Sequence, residues 1–143
     1  MVDIRTTGGR SILTTDVIGA AGTEDLAVKT FLAVFLGTPA AMEQWNALPE
    51  QERQSRGIRG VEAWHAWVDR HRAAIVDAGG PLGRTKSVSA MGIVDLRNAM
   101  SAYTTVRAES HDEAARMFEG HPHFTIFPGD SVEVMEVLPI PPR

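Results

Sequence analysis

Residues 29–36, KTFLAVFL, set the tightest limit on the fold. In an extended chain alternate side chains face opposite ways. Phe31, Ala33 and Phe35 therefore share one face, and Leu32, Val34 and Leu36 share the other. Both faces are apolar. A sheet with one wet face is built from strands that alternate, whereas a strand buried on both faces reads as a continuous apolar run. This strand belongs in the middle of a sheet covered on both sides, and Gly37-Thr38-Pro39 stops it.

Further elements follow from pattern. A short helix is expected over 40–47. A long helix is expected from Pro49 to about Ala78, with Glu50 and Glu52 in its first turn, where the helix dipole favours carboxylates. Its apolar stripe is Ile58, Val61, Trp64, Val68, Ile75 and Ala78, at three-and-four spacing, and Trp67 widens it. Gly57 and Gly60 are candidate breaks, and Gly79-Gly80-Pro81 has the form of a glycine cap followed by proline. Residues 84–91 read as a second strand, 93–100 as a connection and 102–108 as a third strand. Ser110 with Glu113 three residues on has capping-box spacing and opens a helix that Gly120 ends. Residues 121–130 read as a loop and 131–138 as a last strand, and the tail PIPPR continues no sheet.

The order β-α-β-β-α-β is the ferredoxin-like arrangement, an α+β fold with a four-stranded antiparallel sheet. Two helices cover only one face of such a sheet. The doubly apolar first strand then requires a cover for the other face, and a second copy packed sheet to sheet supplies it. A homodimer is the expectation; the alternative cover is the stretch 1–27. That stretch is punctuated by Gly8, Gly9, Gly19 and Gly22 and reads as an N-terminal extension or arm, with a short strand at 11–15, ahead of one domain over 28–143.

At 143 residues and 43% hydrophobic, the chain can bury a full core without staples. It has no cysteine, which excludes disulfides, thiolate metal sites and a cysteine nucleophile and fits a reducing cytoplasm. A net charge of −4 without a Lys/Arg cluster argues against a nucleic-acid partner. No apolar run is long enough to span a bilayer, and the opening MVDIRTTGGR lacks the apolar centre of a signal peptide. The expectation is a cytoplasmic protein with no membrane partner.

Several segments together resemble the YCII-related family of the dimeric α/β-barrel superfamily: EAWHAW from Glu62 to Trp67, the Ala78-Gly79-Gly80-Pro81-Leu82 turn, the helix start at Glu109, Ser110 and Glu113, Pro122, and Gly129-Asp130-Ser131-Val132-Glu133-Val134 leading to Leu138-Pro139-Ile140. The resemblance covers roughly residues 29–140. It implies a ferredoxin-like protomer, a face-to-face dimer and a ligand cleft near the dimer interface. Many longer members carry an Asp-Gly-Pro-Phe segment where this chain reads Asp95-Leu96-Arg97-Asn98. The histidine of the His–Asp pair associated with shorter members aligns near Val68, not on His65, so the pair does not carry over; His65 and Asp69 mimic it at helical spacing without matching its register.

Three groups of side chains are candidates for chemistry. His121 and His123 flank Pro122, and two imidazoles at one cavity would suit acid–base catalysis by both. The alternative is a polar loop whose histidines bond to backbone or water. Tyr103, Arg107 and Glu133 fall on the open sheet face by alternation, where Arg107 would take an anionic ligand; the alternative is an ion pair between adjacent strands. On the long helix, Trp64 reads as core, Trp67 is a candidate for lining a cleft mouth, and His65, on the solvent side, is a candidate ligand-binding residue. No metal site and no organic cofactor are called for, and the GxSxG, Walker, GxGxxG and HExxH patterns are absent. The function expected is binding of a small, anionic molecule, with any reaction being histidine acid–base chemistry such as isomerisation or elimination. The alternative is a non-catalytic regulatory or interaction module.

Overall fold

The computed structural model describes residues 27–143, so the arm expected over 1–27 lies outside the described residues except for its last position. Six strands and four helices follow in order: β1 (Lys29–Gly37), α1 (Pro39–Asn46), α2 (Glu50–Arg70), β2 (Ile75–Pro81), β3 (Thr85–Ser89), β4 (Gly92–Leu96), β5 (Met100–Ala108), α3 (His111–Arg116), α4 (Pro122–Thr125) and β6 (Gly129–Glu136). The main sheet has the order β2-β5-β1-β6 and every pairing in it is antiparallel. This is the ferredoxin-like α+β sheet, with β1 in the interior. A second sheet, the β3–β4 hairpin, is inserted between β2 and β5.

The two faces of β1 differ in burial. Phe31, Ala33 and Phe35 are fully buried under the helices, with Val106, Ala114, Trp67 and Phe118. Leu32, Val34 and Leu36 face the other way and stay half-buried. Val132 and Val134 pack on the helix side, and Glu136 ends the edge strand β6, where its charge meets water.

Capping chemistry places the helices. The Thr38 hydroxyl accepts from the Ala41 N–H at 3.1 Å. The Ser110 hydroxyl accepts from the Glu113 N–H at 3.1 Å, and the Glu113 carboxylate reaches back to the Glu109 N–H at 3.3 Å, one residue short of a strict capping box. Helix α2 runs unbroken through Gly57 and Gly60. Gly60 is buried because the Phe127 ring lies on it: a Cβ there would stand 2.4 Å from Phe127 Cζ.

The long helix stops at Arg70, eight residues before the expected end, and Ile75–Pro81 is an edge strand instead. The expected glycine cap is a bulge in that strand. The Asp77 carboxylate accepts from the Gly79 N–H at 2.9 Å, and Gly79 turns at φ 68. The pairing to β5 slips accordingly, from Asp77 opposite Thr105 to Gly80 opposite Tyr103. Helical spacing at Ile75 and Ala78 is outweighed by the hydrogen bonds that the edge of β5 offers. The second sheet strand is thus 75–81 and not 84–91. Residues 84–91 contribute β3, and the stretch expected to be a connection contributes β4. Lys86 and Asp95 pair across this hairpin at 2.6 Å. Val88, Met91, Ile93, Val94 and Leu96 on it are all exposed.

Candidate functional site

The chain between α3 and β6 builds one end of the sheet. Gly120 at φ 68 reverses it after α3. His121 then caps α4, with Pro122 in its first turn, a position where the missing N–H costs nothing. The expected loop is therefore a single helical turn that fixes both imidazoles. The His121 Nδ1 accepts from the His123 N–H at 3.0 Å. This bond makes Nδ1 the acceptor and leaves the proton of the neutral ring on Nε2.

His121 has no exposed surface. Its ring lies among those of Trp64, Trp67, Phe35 and Phe118, at centroid distances of 4.6, 4.8, 5.0 and 5.9 Å. Its Nε2 has no hydrogen-bond partner among the described residues. Burial drives its pKa down to about 3, helped by the charges of His123, His71 and Arg70. The ring is neutral at pH 7.

His123 is placed differently. Its Nε2 and the Leu36 carbonyl oxygen are 2.7 Å apart, which ties α4 to the end of β1. Gly129 at the start of β6 allows this: a Cβ there would stand 2.3 Å from the His123 ring. Burial lowers the His123 pKa, against the Leu36 and Ser131 carbonyls and Asp130, which favour the charged form. One side of His123 borders a cavity of about 560 Å³ between α2 and the β2–β5 edge. Trp64, Val68, Pro81, Ala102 and Phe127 give it apolar walls, and His65 stands at its rim. An apolar cavity with a few polar groups is the usual form of a small-molecule site.

The two tryptophans exchange their expected places. Trp67 is in the core, its indole N–H donating to the Met117 carbonyl at 2.7 Å. Trp64 is half-buried and walls the cavity. Three i,i+3 or i,i+4 positions can all lie on one stripe, and only the depth of packing against α3 decides which indole is covered.

On the open sheet face, Tyr103 and Glu133 flank Val34 in one register row, with β1 between their strands. Arg107 lies opposite Thr30, four residues along β1 from that row. Strands β5 and β6 are not neighbours, so an Arg107–Glu133 ion pair across adjacent strands does not form. The Tyr103 hydroxyl donates to Asp77 at 3.0 Å, and that carboxylate holds the phenol above its usual range. The structure therefore brings His65 and His123 to one cavity and leaves Tyr103, Arg107 and Glu133 on the opposite face. Phe127 and Ser101 were not legible as wall residues; the one cue was Gly60, a glycine inside a helix that a packed ring explains. Among the described residues no cluster of three or more His, Asp or Glu could hold a metal ion.

No helix among the described residues is long and apolar enough to cross a membrane. No family model and no curated protein matches the chain. Among solved structures, the chain is similar to 5-chloro-2-hydroxyhydroquinone dehydrochlorinase from Burkholderia phenoliruptrix in complex with 2,5-dihydroxybenzoquinone, at 20% identity and a TM-score of 0.44 over 73% of this chain and 89% of that one.

Proposed function

We propose that this chain is a small-molecule-binding protein of the YCII-related type, and that its ligand sits in the cavity between α2 and the β2–β5 edge. The observation that carries the reading is the cavity of about 560 Å³, whose apolar walls converge on His123 and His65. Trp64 and Phe127 supply flat apolar surface there. His123 is neutral at pH 7 because burial depresses its pKa, so it serves as acceptor or base rather than as a cation. His65, exposed on α2, is the second group able to move a proton at the rim. His121 acts through His123, holding its backbone N–H and hence the turn that aims it. In this reading the protein works as a homodimer, with the half-buried Leu32, Val34 and Leu36 covered by the partner's sheet.

A second reading, binding without turnover, has its own support: the Nε2 of His123 is already committed to the Leu36 carbonyl. One experiment separates the two readings and tests the first. A metabolite library is screened by thermal shift against the native chain and an Ala78→Phe variant, which fills the cavity from β2. Ligands that stabilise the native chain and not the variant identify the cavity. Turnover of such a ligand, lost in His65→Ala or His123→Gln, assigns catalysis; binding without turnover assigns a binding module. If no compound distinguishes Ala78→Phe from the native chain, the cavity is not the site.

A further inference from the structure

Two more hollows adjoin the cavity at the same end of the sheet. The first, of about 780 Å³, shares Ser101, His123 and Phe127 with it and then passes Asn46 and Glu43. The second, of about 740 Å³, lies at the base of the β3–β4 hairpin and shares Arg97, Asn98 and Met100 with the first. Each hollow thus shares walls with the next. Ser101 borders the apolar cavity and Met100, the residue just before it, borders the last hollow.

Polarity changes along this run. The cavity at Trp64 is apolar, with imidazoles as its only ionisable walls. The far hollow is lined by Arg84 and Arg97, and neither has a carboxylate within salt-bridge distance among the described residues. Its one acid, Asp95, is neutralised by Lys86 at 2.6 Å. Glu43 is the only carboxylate among the described residues lining the middle hollow. The loop carrying Arg97 is pinned by Asn98, which donates to the Thr85 hydroxyl at 3.2 Å and accepts from the Met100 N–H at 2.9 Å. Arginine forks match carboxylate, phosphate or sulfate groups in two-point contacts.

We propose that the three hollows are one elongated cleft and that its ligand is an organic anion, with an apolar body beside Trp64 and an acidic group held by Arg97 and Arg84. His123 and Phe127 then stand at the waist, against the middle of the ligand. The anionic end is read by the hairpin base and not by Arg107, which lies on the opposite sheet face. The proposal rests on the cavity reading above.

The test uses a matched pair of fluorescent probes, anilinonaphthalene sulfonate and uncharged N-phenylnaphthylamine, on the full chain. The native protein should bind both, the sulfonate more tightly. The double variant Arg84→Ala/Arg97→Ala should lose about tenfold in sulfonate affinity, the scale of a charge-assisted contact, with the neutral probe within about twofold of native. Ala78→Phe should weaken both. Both arginines are exposed, so the double variant should keep the native circular dichroism spectrum. If it binds the sulfonate as the native chain does while Ala78→Phe still weakens both probes, the anionic end is wrong and the cavity stands. If Ala78→Phe changes neither probe, the cavity itself fails, and this proposal with it.

Discussion

The backbone N–H of His123 donates to Nδ1 of His121 at 3.0 Å, and the opposite nitrogen of His121 is sealed among aromatic rings with no partner among the described residues. A proton added to this ring would both break the bond to His123 and place a charge among Phe35, Trp64, Trp67 and Phe118. The folded-state pKa of about 3 lies below the ordinary 6.5. The unfolded chain therefore takes up this proton first. Stability from this residue is complete above pH 6.5 and is lost as pH falls toward 3. The slope approaches roughly 1.4 kcal/mol per pH unit in that window. Chemical denaturation between pH 7.5 and 4, values set by the same window, should show the decline. His121→Phe should reduce the slope, with the remainder coming from His123 and His71, which shift the same way. An unchanged slope in His121→Phe would show that the enclosed imidazole is not the acid-sensitive element.

Two glycines on α2 should respond oppositely to the same substitution. A Cβ at Gly57 meets nothing within 4 Å among the described residues, so Gly57→Ala should stabilise by about 0.5–1 kcal/mol through helix propensity. A Cβ at Gly60 would stand 2.4 Å from Phe127 Cζ, and Gly60→Ala should destabilise by about 1–3 kcal/mol. Urea midpoints of the two variants check the signs.

The bulge in β2 is equally specific. Gly79 combines φ 68 with a Cβ position 1.8 Å from the Tyr103 carbonyl oxygen. Gly79→Ala should cost about 3 kcal/mol or more, as strain and backbone clash add. Amide exchange in the variant should rise first at Gly80 and Tyr103, which face each other across this edge.

On the homodimer reading, sedimentation should give twice the 15.5 kDa chain mass. Val34 lies between Tyr103 and Glu133 on the open face. Val34→Lys should yield monomer with its helices intact by circular dichroism, because the buried side of β1 is untouched. A monomeric native chain at micromolar concentration would remove this reading.

The main frame was legible because it rests on strong local patterns. The double apolar face of β1, the Ser110–Glu113 cap and the alternation in β5 all encode it directly. The segment after α2 was not, because Ile75 and Ala78 continue a helical spacing by chance. The information that makes them a strand is the free edge of β5, which lies some thirty residues on in the sequence: Ile75 pairs with Val106. Of the candidate site, only the neighbourhood of some residues was legible. His123 and His65 do meet one cavity, but alternation alone could not show that β1 separates Tyr103 from Glu133, nor that α4 turns His121 inward. Those facts depend on strand order and on the packing of Trp67 against Met117.

Strand β1 has consequences for how the chain is made. Phe31 pairs with Val106 on one side and Glu136 on the other, so both its neighbours come from the last third of the sequence. During synthesis the most apolar stretch emerges early and has no sheet to join until the chain is nearly complete. Helix α2 can form meanwhile, but the core cannot close. Slow, non-local pairing is the expected rate-limiting event, and a ribosome-bound chain that stops before β5 should be the species that a chaperone sees.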